Sequence, residues 1–238
     1  WEGTDLDGVL TYYAYDAGER LTRDGRASGI WVGTDDATVR QTQFWDCLVG
    51  LWVSATDLHV TDCNFVNSRY GAVVDAGGHL YVDRSEFQRC NFGTLSNASL
   101  LTFRNSSLTG CDEGIQAYGG NLTVEGTDVS NCSVVGIGGY NAEVTITDCI
   151  VHDAEADGVV VQESMAWISS TRFSDLDTDV KVVHSTAWLG GNHHRDSYDE
   201  AMWMYHSTFH VRGVVTEDAY WALKAWKSTG VCENLTAI

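Results

Sequence analysis

Glycine recurs at positions 29, 50, 71, 93, 114, 136 and 158, so the interval from each to the next is always 21 or 22. Each of these glycines opens a similar phrase, such as Gly29-Ile-Trp-Val, Gly50-Leu-Trp-Val, Gly71-Ala-Val-Val and Gly158-Val-Val-Val. A second column keeps step, with small residues at Thr42, Cys63, Ser85, Ser106, Thr127, Cys149 and Thr171. Two places after each comes a large apolar residue: Phe44, Phe65, Phe87, Leu108, Val129, Val151, Phe173. A fixed period of this length is the mark of a stacked repeat, in which each unit buries its apolar face only against its neighbours.

Within the unit the apolar residues alternate, as in Leu58/Val60, Leu80/Val82, Leu101/Phe103, Leu122/Val124 and Val144/Ile146. Alternation of period two means strands with one face turned inward. Three short strands fit each unit, separated by Gly, Asn and Asp turns. Asp46, Asn67, Asn131, Asp153 and Asp175 share one turn column. Asn and Asp tolerate left-handed backbone, which suits a tight turn that must recur. The chain contains no proline, so every backbone N–H is available to a hydrogen-bond ladder.

These columns resemble the right-handed parallel β-helix, the solenoid of pectate lyases, phage tailspikes and periplasmic carbohydrate-binding and sugar-hydrolase repeat proteins. The resemblance covers roughly residues 29–190. It implies an all-β, single-domain rod of about eight to ten coils, each coil matching one glycine interval and holding three strands. Residues 1–28 fit a degenerate first coil, and 191–238 irregular C-terminal coils or a cap. In that last part Thr216-Glu217-Asp218 either caps a short helix over 219–226 or the strands carry on. The fold carries enzymes, adhesins and structural rods alike, so it does not by itself assign a function.

The chain has 14 Lys+Arg against 33 Asp+Glu, a formal net charge of −19. Nucleic-acid binding needs a basic face, and the overall charge likewise disfavours anionic lipids and polyanionic substrates. No apolar run approaches the ~20 residues that a spanning helix needs, so no membrane insertion is expected. No phosphate loop, nucleophile elbow or zinc-protease motif occurs, and no catalytic residue or bound cofactor is expected. The spacing stays at 21 or 22 from 29 to 180, which leaves no insertion from which to wall a substrate groove.

The turns Asp153-Ala-Glu155-Ala-Asp157 and Asp175-Leu-Asp177-Thr-Asp179 lie one repeat apart. Stacking would crowd six carboxylates at one corner, a candidate Ca²⁺ site because that ion takes oxygen ligands. A solvated acidic edge is the competing reading. The pair His193-His194, followed by Asp196, Asp199 and Glu200, departs from the repeat and is a candidate loop for metal or catalysis. Adjacent histidines on a strand point opposite ways, however, and make a poor chelate. Among the seven cysteines, Cys90, Cys111 and Cys132 share a column with Cys47, while Cys63 and Cys149 lie in the small inward column. Buried free thiols are the expectation, with one disulfide inside the first column as the alternative.

Register turns Trp31, Trp52, Val73 and Leu95 outward, and on the second strand Trp167 and Trp188. Such an apolar stripe marks an interface with copies of the same chain or a platform for sugar rings. The sequons at Asn97, Asn105, Asn121 and Asn234 are candidate glycosylation sites. A further sequon at Asn131 lies in a tight turn. The leading expectation is a non-catalytic extracellular rod that assembles at the cell surface into filaments, sheaths or layers. A glycan-binding or polysaccharide-degrading protein that engages cell-envelope glycans is the alternative, and a viral fibre segment a further one.

Overall fold

The computed structural model describes residues 29–33, 36–54 and 57–238. The proposed first coil at 1–28 lies outside these residues. The described chain winds as a parallel β-solenoid in which every strand pairs with its counterpart one coil on. Three ladders result. The first-strand ladder runs from Ile30–Val32 to Lys224–Trp226, the second from Thr38–Arg40 to Thr229–Glu233, and the third from Gln43–Trp45 to Thr236–Ala237. The third ladder is a sheet of its own with ten strands, hence ten coils among the described residues. The first two merge where Phe92–Arg104 and Glu113–Glu125 run unbroken through both positions. No helix occurs among the described residues.

The register matches the sequence columns. Leu51 pairs with Ala72, Phe44 with Phe65 and Val144 with Ala166. The inward phenylalanines stack face to face, with centroids 4.5 Å apart for Phe44–Phe65 and 4.4 Å for Phe65–Phe87. The turn column Asp46, Asn67, Asn131, Asp153, Asp175 holds φ between 52° and 55°, the left-handed geometry read from its residue types. The glycine column has a steric cause. A Cβ on Gly71 would lie 2.5 Å from the carbonyl oxygen of Gly93 and 2.6 Å from the Phe87 ring. At this coil the first strand can therefore pass close beneath the next one only without a side chain.

Strands continue to the end of the chain. Lys224–Trp226, Thr229–Glu233 and Thr236–Ala237 complete the tenth coil, so the helical alternative over 219–226 does not form. His193–Arg195 is a third-strand segment paired with Arg172–Ser174. The histidine pair thus keeps the repeat instead of departing from it. None of the seven cysteines forms a disulfide; six are buried and Cys232 is exposed.

Candidate functional site

The outward face of the first-strand ladder gathers most of the chemistry. Its central column reads Trp31, Trp52, Val73, Leu95, Gln116, Gly138, Val160, Lys181, Trp203, Lys224. Trp31 and Trp52 are exposed, at 66% and 44%. Val73 and Leu95 are half-buried. Gln116, next in line, is fully buried, and there the expected stripe ends. Trp31 folds back along its own strand over Gly33, and the Trp52 indole N–H donates to Asp75 at 2.7 Å.

At the middle coils a polar cluster replaces the stripe. Tyr118 and Tyr140 stack with centroids 4.9 Å apart and rings 12° from parallel. A side chain at position 138 would lie 2.1 Å from Gln116 Oε1 and 2.8 Å from the Tyr140 ring. Glycine there lets the Gln116 amide and the Tyr140 ring lie across the next coil. Neither Oε1 nor Nε2 of Gln116 has a hydrogen-bond partner among the described residues. Burial, reinforced by Asp112, raises the Glu113 carboxyl above its usual range. Burial, then Tyr118, Glu113 and Asp157, push the Tyr140 hydroxyl up to about 12. Tyr140 therefore lies within the field of two carboxylates from coils on either side of its own.

Toward the C-terminal coils the face turns cationic and aromatic. The Lys181 ammonium lies 4.9 Å above the Trp203 ring and 2.9 Å from Asp157 Oδ2. Lys224 pairs with Glu200, whose other oxygen accepts from Thr178 Oγ1 at 3.4 Å. Trp203 in turn meets Tyr205 at 6.0 Å.

The six carboxylates of the candidate calcium site do not converge. The coil beginning at Asp157 is one position shorter than the acidic spacing implies, so Asp157 shares its column with Thr178, not Asp179. Asp179 falls in the glycine column and turns inward, wholly buried, with its Oδ2 2.9 Å from His194 Nδ1 and 2.6 Å from Ser197 Oγ. Asp153 meets His152 at 2.6 Å, and Asp157 is held by Lys181. Asp175 occupies its turn at φ 55°, while Glu155 and Asp177 point to solvent. Among the described residues no group of three or more His, Cys, Asp or Glu is placed to hold a metal ion.

Trp167 and Trp188 stack at 5.0 Å, 4° from parallel. Each ring therefore covers a face of the other, and their edges point outward. Asn97, Asn105, Asn121 and Asn234 are exposed, and Asn105 Nδ2 donates to Asp83 Oδ1 at 3.1 Å.

A model of the right-handed β-helix region matches residues 28–173. The chain belongs to the right-handed β-helix family. No curated protein matches its sequence. Among solved structures this β-helix is similar to a periplasmic alginate epimerase, AlgG, at 12% identity and a TM-score of 0.79, over 98% of this chain and 65% of that one. It is also similar to the A-module of the Azotobacter vinelandii mannuronan C-5 epimerase AlgE6, at 11% identity and a TM-score of 0.65, over 90% of this chain and 79% of that one. The chain thus spans just under two thirds of the first of these. At such identities the likeness is one of fold.

Sequence reading missed Gln116, Tyr118, Tyr140, Lys181, Trp203 and Lys224. Their signal was present in the register. Carrying the outward column of Trp31 and Trp52 forward one coil at a time lands on Gln116, Lys181, Trp203 and Lys224.

Proposed function

We propose that this β-helix is a carbohydrate-binding protein of the cell exterior that holds a glycan along the outward face of the first-strand ladder. The observation that carries the reading is the Gln116 amide, which is buried across Gly138 beside the ring of Tyr140, itself stacked on Tyr118, with both polar atoms unpartnered. A buried amide without partners costs free energy, which a ligand that displaces the covering side chains recovers by hydrogen bonding to it. Sugar hydroxyls both donate and accept, as a primary amide requires. The surrounding tyrosines, Glu113 and Asp157 supply the rings and acceptors typical of a glycan site. The periplasmic setting of the similar alginate epimerase supports a place outside the cytoplasm. The role is binding without turnover.

Isothermal titration with a panel of neutral and acidic oligosaccharides tests this. A dissociation constant in the micromolar range, weakened about tenfold or more by Gln116→Leu at unchanged circular dichroism, is expected. Absence of binding to every glycan at millimolar concentration overturns it.

A second reading, self-association into a surface filament or layer, is favoured by the exposure of Trp31, Trp45 and Trp52, at 66%, 55% and 44%. Negative-stain microscopy should then show fibres or sheets that Trp31→Ser with Trp52→Ser abolishes. Single rods for both proteins overturn it.

A further inference from the structure

All three lysines of a chain with net charge −19 lie between positions 181 and 227. Lys181 and Lys224 share the outward column of the first-strand ladder, and Lys227 follows on the same coil. The corner after that strand carries, on successive coils, Glu163, His184, His206 and Lys227, all at positive φ between 50° and 52°. Backbone bonds keep them in step: Glu163 N–H donates to Val183 O, His184 N–H to Tyr205 O, and His206 N–H to Trp226 O.

The two imidazoles are exposed and stack at 5.0 Å, 6° from parallel. Tyr205 packs edge-on against both, at 5.7 Å from His184 and 4.5 Å from His206. The next residue on each coil is a serine of a hydroxyl ladder. Ser164, Ser185 and Ser207 donate their backbone N–H to the hydroxyls of Ser185, Ser207 and Ser228, at 3.0, 3.2 and 3.0 Å. The corner is therefore held at a fixed one-coil spacing.

This corner lacks the acidic partners that five of the other six histidines have. His79, His152, His193, His194 and His210 each face a carboxylate. Among the described residues, neither His184, His206 nor Lys227 forms an ion pair. Glu143 and Glu163 line the same cleft, of about 520 Å³, on the preceding coils, and neither reaches an imidazole at ion-pair distance. The charges of Lys227 and His184, with burial ahead of them, hold the His206 pKa below its usual value. At physiological ionic strength charges separated by more than ~8 Å are largely screened, so this local arrangement outweighs the distant acidic surface.

We propose that His184, His206 and Lys227 form a proton-gated oxyanion site that takes a sulfate, phosphate or carboxylate group. When the imidazoles protonate, three cations spaced one coil apart repel one another, and an anion among them relieves that repulsion. Each imidazolium presents N–H donors and the ammonium three more. The site goes beyond the glycan reading above and stands on separate residues. Continuity with Trp203 and Tyr205 places it where an acidic substituent on a bound sugar chain would also reach.

The test follows inorganic sulfate and phosphate by isothermal titration and by histidine side-chain NMR between pH 5.5 and 8. A sulfated oligosaccharide and its desulfated twin separate a free ion from a substituent. Sulfate affinity is expected to fall about tenfold per pH unit above the imidazole pKa for each proton taken up. His184→Gln with His206→Gln should abolish that dependence at unchanged circular dichroism. Lys227→Gln should weaken binding while leaving the pH dependence in place. Preference for the sulfated chain assigns the site to a sugar substituent, and equal binding of both twins alongside sulfate assigns it to free anions. Sulfate binding that is absent at pH 5.5, or insensitive to pH and to the double variant, overturns the proposal. So does saturable Ni²⁺ or Zn²⁺ binding at the two histidines in place of sulfate. Loss of glycan binding with sulfate binding intact would reject the glycan reading alone.

Discussion

The imidazole of His194 lies face to face with the ring of Phe173, 4.8 Å between centroids and 9° from parallel. It occupies the inward column that Phe44, Phe65 and Phe87 occupy in earlier coils. A polar ring thus continues an aromatic stack, and it brings Asp179 and Ser197 inward as partners. Asp179 Oδ1 and His194 Nε2 remain without partners among the described residues.

Burial is the largest influence on the Asp179 carboxyl and raises its pKa, against the opposing pull of His194 and Ser197. The folded state therefore holds this proton more tightly than the unfolded chain, whose carboxylate titrates near ~3.9. Its contribution to stability is full below that pH and is lost as pH rises toward the raised folded value. Asp179→Asn keeps an acceptor for Ser197 and carries no charge. Thermal unfolding of the two proteins should coincide near pH 4. The variant should be more stable at pH 7, by at least about 2 °C. A variant less stable by the same amount at every pH would refute this.

Phe65 is stacked on both faces, by Phe44 and Phe87. Truncation to alanine removes both contacts and leaves a cavity that the neighbouring coils cannot close, because their spacing is fixed by backbone ladders. A loss of about 3–5 kcal/mol is expected for Phe65→Ala, with a smaller loss for Phe65→Leu. Urea unfolding measures both, and equal losses would overturn this by showing that the stacked ring, not the volume it fills, sets the cost.

The inward half of the molecule was legible because stacking forces like residues into columns. The glycine column, the phenylalanines and the Asx turns each follow from a local steric demand repeated every coil. The outward half was less legible. Nothing physical compels an outward column to keep one chemistry, so Trp31 and Trp52 give way to Gln116 and Lys181 without a break in spacing. The acidic corner misled for a sharper reason. A single position lost between Asp157 and Thr178 moves Asp179 from the outer face to the core, since side chains alternate with period two.

Thiol reactivity follows the same division. Cys90, Cys111 and Cys132 are buried in one column, and burial pushes the Cys132 thiol up to about 12. In the small inward column burial pushes Cys149 up to about 11. Thiolate is the reactive form, so native protein at pH 8 should react with a thiol reagent at Cys232 alone. Denatured protein should show seven reactive thiols by intact mass. A native stoichiometry above one, or fewer than seven after denaturation without reductant, would contradict the buried, reduced thiol columns.

The coil repeat also sets the response to salt. Carboxylates such as Asp153 and Asp175 recur at the same corner on adjacent coils, about 4.8 Å apart along the axis, and the net charge of −19 leaves most without a cation. Their repulsion acts over ~30 Å at 0.01 M salt but only ~3 Å at 1 M. The midpoint of thermal unfolding should therefore rise with NaCl across that range, and KCl should match it. Because Asp179 faces the core and Asp157 is held by Lys181, Ca²⁺ at equal ionic strength should add nothing further. A saturable extra shift at millimolar Ca²⁺ would show that the corner rearranges into a cage, and Asp175→Asn should then abolish that shift.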